Sequence, residues 1–140
     1  MFRSHTFWLK VTIVFQLVLA AFHALSLFSE PQSTVEAEQQ VLVLMHSVKF
    51  DFGAGFTPTM MNLFTGLSAC FTFAYLLGGL INIVVLRHNA ETKLLASVVN
   101  VNLIVFVPCF LVMAFLTFLP PILMTGLVVV GLTATRLTLK

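Results

Sequence analysis

Few residues in this chain have types and spacing that suggest chemistry. His23 is the one histidine set inside a long apolar run, and an ionisable group at bilayer depth is by default a candidate for function. Gln16 lies seven residues earlier and therefore on the same helical face. His46 and Asp51 fall in the polar segment that follows, and Asn62 and Thr65 stand near the start of the next apolar run. A histidine with a carboxylate partner can shuttle a proton or orient a ligand, so His23, Asp51, Asn62 and Thr65 form one candidate ligand-binding set. The alternative for His23 is a neutral imidazole hydrogen-bonded to a neighbouring helix, with Asp51 a solvated loop charge.

A second group lies further along the chain. Asn82, Asn100 and Asn102 stand close in sequence to Arg87, His88 and Lys93. Basic residues beside a helix end meet lipid phosphate, which makes Arg87 and Lys93 candidate headgroup-binding residues, with plain topology signals as the alternative. A third pattern carries no reactivity. Asn62, Gly66, Cys70, Ala74, Gly78 and Asn82 recur every four residues, and small side chains let helix backbones approach closely where lipid supplies no hydrophobic drive. Gly66, Cys70, Ala74 and Gly78 are therefore expected to be helix-packing residues.

Catalytic signatures are missing. The chain has no GxSxG, HExxH or phosphate-loop motif. No Asp, Glu, Lys or Arg stands in the middle of an apolar run, so the carboxylate relays of pumps and the charged rings of ion-selective pores are absent. A bis-histidine haem would need a second histidine at His23's depth. Cys70 and Cys109 lie inside apolar runs without a CxxC or zinc spacing. The sequence thus signals no metal and no cofactor, and its net charge of +2 is too small and too scattered to indicate nucleic acid.

The elements that must hold these residues follow from composition. Of 140 residues, 59% are hydrophobic and 9% charged, against roughly a quarter charged in a soluble domain. A membrane-spanning helix needs about 20 predominantly apolar residues, and four runs qualify, at 8–28, 59–86, 94–119 and 122–137. The first resembles a secretory signal, with Arg3 and Lys10 ahead of the run and a small triplet at 24–26, but is expected to remain as a helix. Pro120 and Pro121 divide the last two runs into a tight hairpin, and Pro108 predicts a kink in the third. The outer loop, 29–58, contains Ser33 and Glu36 at capping-box spacing. A short amphipathic helix to about Ser47 is expected there, followed by a loop re-entering the headgroup layer.

Orientation follows from charge, because positive residues are retained on the cytoplasmic side. Arg3, Lys10, Arg87, Lys93, Arg136 and Lys140 map to one side of four spans and Lys49 alone to the other, while Glu30, Glu36, Glu38 and Asp51 gather in the first loop. The fold class expected is an all-α, four-transmembrane-helix bundle forming a single integral membrane domain, with both termini cytoplasmic. In length and topology the chain resembles small four-helix bacterial inner-membrane proteins, which implies that membrane as its location. The function expected is a small non-catalytic subunit or scaffold that contacts membrane lipids and packs through its second span with itself or a larger complex. The competing expectation is a binder, carrier or enzyme for a lipid or quinone, using a pocket at His23, Asp51 and Asn62.

Overall fold

The computed structural model describes residues 4–139; the two outermost charges of the topology argument, Arg3 and Lys140, lie outside the described residues. Five helices follow in order: α1 (His5–Ser26), α2 (Glu36–Ser47), α3 (Met60–Arg87), α4 (Thr92–Leu116) and α5 (Leu119–Thr138). Four of them, α1, α3, α4 and α5, are long and apolar enough to cross a membrane. The chain is therefore all-helical and suited to a bilayer, where a helix satisfies its own backbone hydrogen bonds. Among the described residues extended pairing is limited to one antiparallel bridge between Lys49 and Thr59.

Local sequence explains the helix ends. The last turn of α1 tightens through Leu27 N to Ala24 O at 3.1 Å and Phe28 N to Leu25 O at 3.1 Å. Pro31 then disfavours further helix at Glu30. At the end of α3, Asn89 takes φ 45°, with Asn89 N donating to Leu86 O at 3.3 Å and Ala90 N to Val85 O at 3.0 Å. This pairing is a Schellman motif with asparagine in glycine's usual place, and it turns the chain straight into α4. Helix α4 runs through Pro108 without a break. The hairpin break falls at Thr117 and Phe118, earlier than the proline pair. Pro120 and Pro121 instead sit in the first turn of α5, where a helix amide has no intrahelical acceptor and the fixed φ of proline suits the start.

The expected capping box at Ser33 and Glu36 takes a different form. Helix α2 begins at Glu36 with Val35 at the cap position, which places Glu38 three residues in. The Ser33 hydroxyl accordingly donates to the Glu38 carboxylate and accepts from Val35 N at 3.0 Å. A capping box does form at α3: Thr59 Oγ1 accepts from Asn62 N at 3.2 Å, and Asn62 Oδ1 accepts from Thr59 N at 2.9 Å.

The chain divides into two compact units: one built from residues up to Ala20 and from Ala74 onward, the other from Ala21–Phe73. The first is a bundle of four helical segments from α1, α3, α4 and α5. Its core holds Leu9, Ile13, Tyr75, Val99, Phe106, Val128 and Leu132, and close approach at two glycines joins its helices. A Cβ at Gly131 of α5 would collide with Thr12 Oγ1 of α1, and one at Gly78 of α3 would meet α1 and α4. The second unit carries the end of α1, the start of α3, and between them α2 with the segment 48–59. In that segment Phe50 N donates to Pro58 O at 3.0 Å and Phe52 N to Phe56 O at 3.1 Å. The turn at its tip has Gly53, Ala54 and Gly55 at φ 80°, 51° and 84°, a left-handed run that two glycines adopt without steric cost.

Candidate functional site

The main polar feature of the first unit is a set of three buried amides. Gln16, Asn82 and Asn102 are 0%, 0% and 7% exposed, on α1, α3 and α4 respectively. Asn82 Nδ2 donates to Gln16 Oε1 at 2.9 Å, Gln16 Nε2 donates to Asn102 Oδ1 at 3.1 Å, and Asn102 Nδ2 donates to Val98 O at 3.0 Å. The bonds run in one direction and leave Asn82 Oδ1 as a buried acceptor with no partner among the described residues. Gly78, one turn before Asn82, leaves the space that the Gln16 amide fills. A Cβ there would lie 2.6 Å from Gln16 Nε2, 3.1 Å from Asn102 Oδ1 and 3.1 Å from Phe106 Cε2. Amides do not ionise near neutral pH, so this network ties three helices together and offers neither a general acid nor a base. Higher in the same unit, the Tyr75 hydroxyl bonds to Thr125 Oγ1 at 2.8 Å, and its ring stacks on Phe106 with centroids 5.2 Å apart.

The second unit contains His23. Its Nδ1 lies 3.4 Å from Ser68 Oγ, and its ring stacks on Phe71 with centroids 5.4 Å apart. Ser26 Oγ donates to His23 O at 2.7 Å and lies 2.6 Å from Ser68 Oγ. Asp51 and Asn62 each place one side-chain oxygen in a local hydrogen bond. Asp51 Oδ1 accepts from Gly53 N at 2.8 Å and closes its own turn. Asn62 Oδ1 is used by the α3 cap, accepting Thr59 N and also the Thr59 hydroxyl at 2.8 Å. Thr65 is exposed. His23 is thus brought together with Ser26, Ser68 and Phe71, and the hydrogen bonds of Asp51 and Asn62 close a turn and a cap. Ser26 stands one helical turn after His23 in the sequence and could have been paired with it on spacing alone. Ser68 could not, being 45 residues away.

The small ridge of α3 divides along its length. Gly78 and Asn82 are buried, whereas Gly66, Cys70 and Ala74 are exposed, and a Cβ at Gly66 would meet nothing within 4 Å. The reason is helical geometry: each step of four residues advances about 40° around the axis, so the row winds by about 200° from Asn62 to Asn82. Its end faces the buried amides, and its start turns away from the side where Ser68 and Phe71 contact His23. Arg87 and Lys93, the candidate headgroup residues, are both exposed, at the end of α3 and the start of α4. Among the described residues no three His, Cys, Asp or Glu side chains are grouped to hold a metal ion. Compared with known proteins, the chain matches no protein-family model, no curated protein and no solved structure.

Proposed function

We propose that this chain is a small, non-catalytic integral membrane subunit that assembles with a second copy of itself through the exposed start of the α3 ridge. One observation carries the reading. At Gly66 and Cys70, α3 presents a small-residue surface with open space before it, while its opposite side is engaged by His23. Surfaces of this kind let two membrane helices approach to backbone distance. The polar groups of the first unit fit the same reading, since Gln16, Asn82 and Asn102 bond to one another across three helices. A binder or enzyme acting on a lipid or quinone at His23, Asp51 and Asn62 has less support, because Asn62 Oδ1 and one Asp51 oxygen already close the cap and the turn.

The inner membrane of a bacterium, with both termini cytoplasmic, is part of this proposal. Lys10, Arg87, Lys93 and Arg136 stand at segment ends that share one end of the bundle by connectivity, and retention of basic residues on the cytoplasmic side sets that end inward. In this orientation α2 and the 48–59 turn lie on the outer surface, where exposed Val41, Leu44, Phe52 and Phe56 suit an interfacial segment.

The test is the size of the purified protein in mild detergent. Gly66→Leu is expected to convert the assembly to monomer without unfolding it, because the new side chain fills the approach and nothing within the chain. Phe64→Leu, at an exposed position on the other side of α3 from Gly66, is expected to leave the assembly intact. An unchanged assembly in Gly66→Leu would remove this face from the account.

A further inference from the structure

Beyond the α3 ridge, the basic end of the first unit carries a built polar pair on its lipid-exposed surface. Arg136, in the last turn of α5, donates from Nε to Asn100 Oδ1 of α4 at 3.0 Å, with both residues exposed. They are set among exposed apolar side chains, Val101 at 60% and Leu137 at 79%, which is the composition of a surface that meets acyl chains and not bulk water. The bond also fixes the register of the antiparallel pair. Helix α5 ends two residues beyond Arg136, whereas α4 begins eight residues before Asn100, so α4 extends past the end of α5 by about 9 Å at 1.5 Å per residue. This overhang makes a step. Arg136 lies at its floor, and its wall is the first two turns of α4, where Lys93 and Ser97 share the Asn100 stripe at spacings of seven and three residues.

We propose that this step binds the phosphate of an anionic phospholipid headgroup, with Arg136 as the principal ligand and Lys93 as the second. The Nε bond uses one of the five donors of the guanidinium and holds its plane, leaving the fork on the other nitrogens for a phosphate in bidentate geometry. Lys93 adds a point charge from the wall, and the positive end of the α4 dipole lies at the same level. Glu91, immediately before α4, is the opposing charge, and the cations of the step outnumber it by two to one. A bilayer supplies phosphate at the depth where a spanning helix ends. Asn100 is a positioning residue: it orients the guanidinium and need not touch the lipid.

The experiment uses the full chain in phosphatidylcholine nanodiscs containing a minor fraction of phosphatidylglycerol, with bound lipid read by native mass spectrometry and thermal stability measured in parallel. Arg136→Gln is expected to lower phosphatidylglycerol retention about tenfold, the loss of one or two charge-assisted hydrogen bonds. Arg136→Lys keeps the charge without the fork and is expected to lose several-fold, and Asn100→Ala to lose about threefold at unchanged stability. Lys10→Gln removes an equal charge from the first turns of α1 and is expected to leave retention unaltered. Equal losses in Arg136→Gln and Lys10→Gln would overturn the site in favour of net charge, and full retention in Arg136→Gln would overturn it outright. Displacement of the lipid by millimolar inorganic phosphate would overturn the lipid assignment.

Discussion

Replacing Gly78 by alanine adds a single methyl group at the most crowded helix crossing of the first unit. That methyl would lie 2.6 Å from Gln16 Nε2 and 3.1 Å from both Asn102 Oδ1 and Phe106 Cε2, so the Gln16 amide must leave its position between Asn82 and Asn102. Overpacking of this kind costs about 1–3 kcal/mol. Losing an interhelical hydrogen bond inside a membrane adds about 0.6 kcal/mol on average. The better helix propensity of alanine offsets up to about 1 kcal/mol, leaving an expected net loss of about 1–3 kcal/mol. Gly79→Ala is the matched control, because its methyl would meet the flexible end of Leu17, with Cδ2 at 3.1 Å, and is expected to cost under about 1 kcal/mol. Reversible unfolding in mixed micelles with increasing sodium dodecyl sulfate, followed by circular dichroism, measures both. Gln16→Ala removes the side chain that the methyl strikes, so its combination with Gly78→Ala is expected to be less destabilising than the sum of the two. A Gly78→Ala protein within about 0.5 kcal/mol of the parent, or strictly additive losses, would refute the packing argument.

Other expected outcomes concern the second unit and the topology. Thr59→Ala or Asn62→Ala opens the α3 capping box and is expected to cost about 1 kcal/mol, seen as faster amide hydrogen exchange confined to the first turn of α3. His23→Gln keeps a donor and an acceptor toward Ser68 and is expected to fold with stability within about 0.5 kcal/mol of the parent, whereas His23→Leu removes the Nδ1 contact with Ser68 and the ring stacking on Phe71 and is expected to lose more. On a background lacking Cys70 and Cys109, cysteines placed at Gln39 and Ala54 are expected to react with a membrane-impermeant maleimide added to intact cells. One at Asn89 is expected to stay unreacted, and its labelling would reverse the proposed orientation.

The spans were legible because the signal for a membrane helix is local: an apolar run of sufficient length has one economical fold in lipid. Their ends shifted by a few residues where backbone chemistry decides. The prolines at 120 and 121 mark a boundary in either reading, yet a helix start tolerates proline and a helix end does not, so they belong to α5. Asn62 looked like a ligand residue by position, although its spacing of three from Thr59 is equally that of a capping pair. The i, i+4 row on α3 was visible as a pattern but not as two surfaces, because only its winding about the axis separates Gly66 from Gly78. Pairings such as Asn82 with Gln16, 66 residues apart, and Gln16 with Asn102, 86 apart, depend on which helices neighbour one another. No local property of a single sequence encodes that.

Cys70 itself provides the most direct test of assembly through α3, since it stands on the exposed part of the ridge one turn from Gly66. With Cys109 replaced by serine, mild oxidation of native membranes is expected to convert the chain to a disulfide-linked dimer through Cys70, because two α3 helices in contact at this face bring the Cα atoms within the roughly 7 Å that a disulfide spans. Gly66→Leu is expected to abolish that product. Failure of Cys70 to cross-link, while cysteines introduced on other exposed faces of α3 do so, would contradict the proposed assembly.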